Sequence, residues 1–230
     1  MDKILLVDDD LELCSMIAEF LVGDGFSCET AHDGQEGLKK ALGRSFDALV
    51  LDVMMPKMNG FDVVRKLRES KDTPVIMLTA RGDETDSIIG LEIGADDYLA
   101  KPCSPQMLVA HLRAVLRRVR GKGPTPMEPV TIGKVTLRPG SLHVEAGGEE
   151  VELTSTEFTL LHLLMKEAGQ VISKEVLCEQ GLGRKLTPYD RSVDIHISNI
   201  RRKLKQNTQS EPYICTVRGS GYQFVLPFRE

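Results

Sequence analysis

The 230-residue chain is 41% hydrophobic and carries a net charge of −5, a balance typical of folded globular proteins that excludes a largely disordered chain. No stretch approaches the roughly 18 apolar residues of a membrane helix, and the N-terminal apolar run is too short for a signal peptide. The five cysteines are never spaced as CxxC, which favours reduced thiols in a cytoplasm over a disulfide framework or a zinc site.

Five short apolar runs alternate with helical patterns in the first 120 residues. The apolar runs cover 3–7, 26–31, 46–52, 74–80 and 97–100. The helical patterns fall near 11–21, 34–42, 60–69, 84–93 and 104–120. Five β–α units of this length predict an α/β domain, (βα)5, with a doubly wound parallel sheet. Ligands of such sheets bind outside the carboxyl ends of the strands.

The pattern changes after residue 120. The stretch 121–128 is rich in proline and glycine and predicts a linker between a domain at 1–120 and a second domain at 129–230. The second domain begins with three or four short strands. Helices are then expected from Thr154, with Glu157 completing a capping box, near 173 and near 190, and a hairpin ends the α+β pattern. The first 120 residues carry a net charge of −6 and the rest +1, so we expect the domains to have different partners.

Carboxylates stand where two neighbouring strands of the first domain should end. Asp8 and Asp9 follow the first strand, and Asp52 ends the third. Carboxylates this close are costly without a cation, and a set of oxygen ligands suits Mg²⁺. Thr79 ends the fourth strand and Lys101 follows the fifth, which adds a hydroxyl and an ammonium at the same edge. This set predicts a site that accepts a phosphoryl group, with Asp52 as the nucleophile.

Each of these residues also has an ordinary structural interpretation. Carboxylates at strand ends are common as helix caps, and we interpret Asp10 as one. Two other functions use a similar set. An aspartate-nucleophile phosphatase would need a second aspartate two positions after Asp52, where Met54 stands. A metal-independent protein–protein module with a vestigial pocket would not need Asp9, Asp52, Thr79 and Lys101 to be intact.

The stretches "LLVDDD", "LDVMMPKMNG", "MLTA" and "EIGADDYLAKP" resemble the receiver domain of two-component response regulators over the whole of 1–120. The resemblance implies that Asp52 accepts a phosphoryl group from a sensor histidine kinase and that the protein is a regulator, not an enzyme. It also implies Mg²⁺ ligands at Asp9, at Asp52, at the backbone carbonyl of Met54 and, through water, at Asp8.

The same resemblance implies a switch pair and a backbone feature. Thr79 and Tyr98 would form the pair, because Thr79 turns toward the phosphoryl group and Tyr98 fills the space that it leaves. The Lys101–Pro102 bond is expected to be cis.

The helix expected from residue 190 has an apolar stripe formed by Val193, Ile197, Ile200 and Leu204. The opposite face holds Arg191, Ile195, Ser198, Asn199, Arg202 and Lys205. Ile195 has no core to join on that face, whereas in a DNA major groove it could contact a thymine methyl group. Asn199 could make a bidentate contact to adenine, and the arginines could contact phosphates or guanine. The alternative is a solvated helix with one stray apolar residue.

The terminal hairpin "TVRGSGYQF" places Thr216 and Arg218 where a wing would reach a DNA backbone or minor groove. Together with "LTSTEFTLLHLL" and "DRSVDIHISNIRRKL", it makes 129–228 similar to the winged-helix domain of OmpR/PhoB-type regulators. The resemblance adds Ser192 and Arg201 to the DNA-contacting candidates. It implies transcription regulation from paired half-sites on double-stranded DNA, and contact of the loop 182–189 with RNA polymerase. The run "GRKLTPYDRSVDIHISNIRRKL" is particularly similar to regulators of envelope-stress genes.

Receivers of this family form homodimers through the fourth helix, fifth strand and fifth helix when phosphorylated. Here Asp97 and Arg118 match one of the usual ion pairs across the dimer, Asp96 would face His111, and Ser87 and Met107 replace another pair. Because exposed pairs contribute less than about 1 kcal/mol each, dimerisation need not be lost. The sequence predicts a weaker dimer that is favoured when His111 is protonated.

Overall fold

A computed structural model describes residues 1–80, 89–119, 128–139, 142–188, 190–208 and 213–226, without the side chains of 80, 118, 119 and 205–208. The chain divides into two compact units, Met1–Leu116 and Arg117–Glu230. The predicted boundaries at 120 and 128 stay a prediction, because 120–127 lie outside the described residues. None of the described helices combines the length and the apolar character that crossing a membrane requires.

The first unit is an α/β fold with a five-stranded parallel sheet, as the sequence predicts. Its strands are β1 (Lys3–Val7), β2 (Ser27–Ala31), β3 (Ala48–Asp52), β4 (Val75–Ala80) and β5 (Asp97–Lys101), in the order β2-β1-β3-β4-β5. Its helices are α1 (Leu11–Gly23), α2 (Gly34–Gly43), α3 (Gly60–Arg68), α4 (89–92) and α5 (Pro105–Val119).

Apolar side chains cover both faces of this sheet. Alternate residues of β1 point to opposite sides, so Ile4 and Leu6 join one core cluster while Leu5 and Val7 join the other. Burial on both faces explains why β1, β3 and β4 appear in the sequence as continuous apolar runs rather than alternating ones. Asp10 caps α1 as predicted, because its Oδ1 accepts from the backbone N–H groups of residues 12 and 13 at 3.0 Å.

The second unit has the α+β architecture of a winged helix. A four-stranded antiparallel sheet contains β6 (Val130–Ile132), β7 (Val135–Arg138), β8 (His143–Ala146) and β9 (Glu149–Glu150). It precedes α6 (Ser155–Lys166), β10 (Val171–Ile172), α7 (Lys174–Val176) and a π-helical segment, Leu177–Leu182. The unit ends with α8 (Ser192–Thr208), β11 (Ile214–Val217) and β12 (Gly221–Phe224).

Two local features differ from the sequence prediction. The helix expected over 173–181 has only three α-helical residues before its π-helical segment, which is followed by Gly183 with φ 69°. The hairpin strand β12 also pairs with β10, which the sequence did not predict because two residues are too few to show a strand pattern. The capping box is present as predicted: Thr154 Oγ1 accepts from Glu157 N–H, and Glu157 Oε2 accepts from Thr154 N–H.

Candidate functional site

Three carboxylates lie close together at the carboxyl end of the parallel sheet. Asp8 and Asp9 follow β1, and Asp52 is the last residue of β3. Each offers one oxygen, and the three oxygens lie within 4.8 Å of one another. Asp8 and Asp52 are buried, whereas Asp9 is exposed. The structure thus brings together the three acids that the sequence places at neighbouring strand ends.

Lys101, the last residue of β5, contributes a positive charge to this acidic group. Its Nζ lies 2.6 Å from Asp8 Oδ2 and 3.1 Å from Asp52 Oδ2. Burial raises the pKa of the Asp52 carboxyl; the Lys101 charge opposes this shift, and the Asp8 charge adds to it. Burial alone would lower the pKa of Lys101, but its bond to Asp8 and the charge of Asp52 outweigh burial and raise that pKa. One ammonium among three carboxylates leaves a negative site that can bind a divalent cation.

The loop that follows Asp52 returns tightly against the end of β3. The Gly60 N–H donates to the Val53 carbonyl at 2.8 Å. A Cβ at position 60 would lie 2.3 Å from the Asp52 carbonyl oxygen, so a larger residue would push this loop away from the acidic group. Met54 lies in this loop with its side chain 71% exposed. Its predicted role in metal binding therefore rests on its backbone carbonyl.

The two predicted switch residues lie on neighbouring strands. Asp52 pairs with Leu78 between β3 and β4, which places Thr79 one residue beyond the acidic strand end. Thr79 is buried, and Tyr98 on β5 is half-buried against one core cluster. The Lys101–Pro102 bond is cis, as predicted. The role of Thr79 and Tyr98 as a switch stays a prediction.

The predicted DNA-facing residues of α8, with Arg191 directly before it, divide into exposed and buried ones. Arg191, Ser198 and Arg202 are exposed. Ile195 is only 9% exposed, so the expectation that it stands out from a polar face without a core is wrong. A helical wheel assigns a face from angular position alone and cannot show which parts of the chain flank a helix. The side chain of Lys205 lies outside the described residues.

Asn199 and Ser192 are also less accessible for contact with DNA than the sequence suggests. Asn199 is 3% exposed, and its Oδ1 accepts from Arg202 Nη2 at 3.1 Å. Ser192 is fully buried at the start of α8. Contact of either side chain with DNA would require a local rearrangement, whereas Arg191, Ser198 and Arg202 need none.

The wing is fixed to α8 by one arginine and one tyrosine. Arg201 donates to the Ile214 carbonyl at 2.9 Å and to Thr216 Oγ1 at 2.8 Å, and its guanidinium lies 5.5 Å from the ring centre of Tyr222. The Tyr222 hydroxyl donates to Asp194 on α8. Arg201 therefore joins α8 to the wing within the protein. Arg218 lies exposed in the turn of the wing, where it was predicted, and Thr216 is exposed next to it.

Two of the residues predicted to form contacts across a dimer are paired with each other within the chain. His111 Nδ1 lies 2.8 Å from Asp97 Oδ2. Asp96 is buried and accepts from Arg68 Nη2 at 3.0 Å. Neighbouring residues along a strand point to opposite faces, so within the chain Asp97 and not Asp96 meets α5. The contacts of these residues across a dimer stay a prediction. Met107 is 51% exposed. Ser87 and the side chain of Arg118 lie outside the described residues.

Sequence reasoning missed the ionic contacts that hold α8 in place. Lys203 Nζ lies 2.7 Å from Glu157 Oε2 on α6, and Lys174 Nζ lies 2.7 Å from Asp194 Oδ1. Arg184, in the loop before α8, is bonded to Asp190. A lone charged residue in a loop carries no periodicity, so the sequence offered no signal for Arg184.

The two units match two protein families. Residues 4–113 match the family described as "Response regulator receiver domain". Residues 148–224 match "Transcriptional regulatory protein, C terminal". The first match includes the acidic group and Lys101, and the second includes α8 and the wing.

Relatives and solved structures share this arrangement over nearly the whole chain. The transcriptional regulatory protein CpxR of Escherichia coli is 49% identical over 98% of this chain and 99% of its own length. The CpxR homolog of Haemophilus influenzae is 42% identical over 98% of this chain and all of its own. The response regulator DrrB of Thermotoga maritima, an OmpR/PhoB homolog, superposes with a TM-score of 0.52 at 32% identity, covering 98% of this chain and 99% of DrrB. A RitR mutant reaches a TM-score of 0.78 at 26% identity, covering 99% of this chain and all of its own.

Proposed function

This chain belongs to the OmpR/PhoB family of two-component response regulators, and from that membership we propose that Asp52 is the residue that accepts the phosphoryl group. The family regulates transcription in response to phosphorylation. The observation that carries the assignment of Asp52 is its place at a strand end, with its oxygen beside those of Asp8 and Asp9 and 3.1 Å from Lys101 Nζ.

The reaction is a transfer between two side chains. An Asp52 oxygen attacks the phosphorus of a phosphohistidine on the sensor kinase, the new O–P bond forms, and the N–P bond breaks with its electrons returning to the imidazole. Lys101 is placed to neutralise the charge on the transferring phosphoryl oxygens, because its ammonium already lies among the acids. Burial of Asp52 limits the access of water to the acyl phosphate.

The acidic group fits Mg²⁺, because three carboxylate oxygens within 4.8 Å of one another form a hard, negative ligand set. Asp8, Asp9, Asp52 and the Met54 carbonyl would hold the ion. When bound, it supplies positive charge that offsets both the clustered carboxylates and the incoming phosphoryl group.

The output is binding of the second unit to double-stranded DNA in the cytoplasm. We place the DNA surface on exposed Arg191, which directly precedes α8, on Ser198 and Arg202 of α8, and on Arg218 of the wing. Phosphorylation would favour a receiver homodimer, so that two DNA-binding units meet paired half-sites and each raises the effective concentration of the other. Asp97 would have to leave His111 before it could take part in such a dimer. RNA polymerase contact through 182–189 and control of envelope-stress genes complete the proposal.

The test is labelling of the full chain by acetyl phosphate with Mg²⁺, read by mass spectrometry. The wild type should gain one phosphoryl group, located on Asp52, and Asp52→Asn should gain none. Asp10→Asn is the matched control, because Asp10 is a neighbouring acid that caps α1 and asparagine also caps well. Phosphorylation at another residue, or none in the wild type, would contradict the assignment.

The same labelling separates the regulator from an aspartate-nucleophile phosphatase. A regulator gains a single burst of phosphate, whereas a phosphatase turns over acetyl phosphate continuously. The position two residues after Asp52 is occupied by exposed, apolar Met54, which cannot act as a general acid. Genome-wide DNA footprinting of wild type against Asp52→Ala then gives the half-site, its spacing and its dependence on phosphorylation.

A further inference from the structure

Arg184, Asp190 and Ser192 form a group of hydrogen bonds across the loop between the π-helical segment and α8. This loop starts after Gly183 and contains Pro188, and its described residues form no helix or strand. Arg184 Nη1 donates to Asp190 Oδ2, and Arg184 Nη2 donates to Ser192 Oγ at 3.0 Å. The Ser192 N–H and hydroxyl donate to Asp190 Oδ1 at 2.9 and 2.7 Å. One guanidinium thus holds both ends of the turn that begins α8.

Arg184 also contacts the π-helical segment that precedes the loop. Arg184 Nη1 lies 3.8 Å from Cys178 Sγ, within Leu177–Leu182. Arg184 therefore connects the π-helical segment to the first residue of α8. Local π-helical geometry is frequent at functional positions of proteins.

Burial makes these contacts strong. The Arg184 side chain is 15% exposed and that of Asp190 is 0% exposed. Burial on its own raises the pKa of Asp190, but the bond to Arg184 and the charge of Arg184 outweigh burial, so this pKa is lowered. Removal of Arg184 would leave a buried carboxylate without its cation, which is more damaging than the loss of an exposed pair.

The start of α8 adjoins one of the exposed residues that we propose as a DNA contact. Arg191 stands between Asp190 and Ser192, the two residues held by the guanidinium, and it is exposed. Contacts to base edges require side chains to be placed accurately, whereas long basic side chains can follow a phosphate over a wider range. A shift of the helix start therefore harms base reading more than it harms general attraction to DNA.

We propose that Arg184 is a positioning residue for DNA reading: it does not contact DNA, but it fixes the orientation of the start of α8 through Asp190 and Ser192. The inference rests on the proposed use of α8 as the DNA-reading helix. It predicts that loss of Arg184 lowers the preference for a specific duplex and leaves non-specific affinity nearly unchanged.

The test compares two DNA duplexes of equal length and the full chain. One duplex is selected by the wild type from a randomised pool, and the other is unrelated in sequence. For Arg184→Met we expect affinity for the selected duplex to fall about tenfold or more, with little change for the unrelated duplex. Arg184→Lys should recover only part of the preference, because a single ammonium cannot bond Asp190 and Ser192 in the geometry of a planar guanidinium.

Arg138→Met is the matched control. Arg138 also pairs with a carboxylate in the same unit, Glu145 at 3.3 Å, but both side chains are exposed. This variant should keep the wild-type ratio of the two affinities. Circular dichroism confirms that each variant is folded, and if Arg184→Met is not, the comparison is made on Arg184→Lys.

Equal losses on both duplexes, or an unchanged ratio in a folded Arg184 variant, would overturn the proposal. Failure of the proposed function looks different, because the wild type itself would then select no duplex from the pool. A variant that loses affinity for the unrelated duplex as strongly as for the selected one would identify Arg184 as a phosphate contact instead.

Discussion

Replacement of Lys101 by methionine should destabilise the first unit, because it removes the positive charge from the acidic group. With an effective dielectric constant near 20, the attractions at 2.6 Å to Asp8 and 3.1 Å to Asp52 are about 6 and 5 kcal/mol. Desolvation of the charges offsets much of this, at several kcal/mol per ion, so we expect a net loss of about 3 kcal/mol near neutral pH.

Mg²⁺ should restore most of that stability, since the ion supplies the positive charge that the variant lacks. The loss should also shrink as the pH is lowered, because the Asp52 carboxyl, whose pKa burial raises, is then among the first to become neutral. Arg65→Met is the control. Arg65 pairs with Asp62 at 2.9 Å on the exposed face of α3, where a pair contributes less than about 1 kcal/mol.

The assay is urea unfolding of the full chain followed by pulse-labelling hydrogen exchange, with peptides from β1 and β3 reporting on the first unit. A loss below about 1 kcal/mol in Lys101→Met would mean that the ion pairs only offset desolvation. A loss that Mg²⁺ leaves unchanged would show that the acidic group does not bind the ion, and the reasoning about the pocket would fail.

Three further predictions concern the second unit and the thiols. Asp190 has a lowered pKa in the folded chain, mainly because Arg184 outweighs burial, so its stabilising effect is present above its unfolded pKa and is lost as the pH falls through the folded one. Asp190→Asn should therefore be less stable than wild type near neutral pH in urea unfolding, and the difference should vanish in acid; a constant difference would contradict this. Arg201→Ala should destabilise the wing by about 2 kcal/mol, because two hydrogen bonds and one cation–π contact are lost, and faster hydrogen exchange in β11 would report it. Burial raises the pKa of Cys14 to about 12 and that of Cys28 to about 11, so iodoacetamide at about pH 8 should label exposed Cys215 before either, as peptide mass spectrometry can show.

The sequence predicted the first unit well because its signals are local and repeated. The strands β1, β3 and β4 are buried on both faces and are therefore apolar runs, and helical periods separate the strands along the chain. The same logic brought Asp8, Asp52 and Lys101 to one edge, since the carboxyl ends of parallel strands must meet there.

The errors occurred where a residue's surroundings depend on distant parts of the chain. Ile195 was assigned to a polar face by angular position, but it is buried in the folded protein. The pairing of His111 with Asp97 within the chain was not predicted, because strand register decides which acid meets α5. A helical wheel describes one element at a time and does not contain the packing around that element.

The order of apolar runs, helical periods and strand-end acids was sufficient to predict the α/β fold of the first unit and the location of the acidic group, and resemblance of quoted stretches to known regulators gave the winged helix and the family. Only the tertiary structure decided which charges are paired: Lys101 with Asp8 and Asp52, His111 with Asp97, and Arg184 with Asp190. The physical reason is the separation along the chain of the residues that each interaction joins. Hydrophobic periodicity is a property of neighbouring residues and survives in the sequence, whereas an ion pair depends on distances of a few ångströms between side chains that the chain brings together only when it folds.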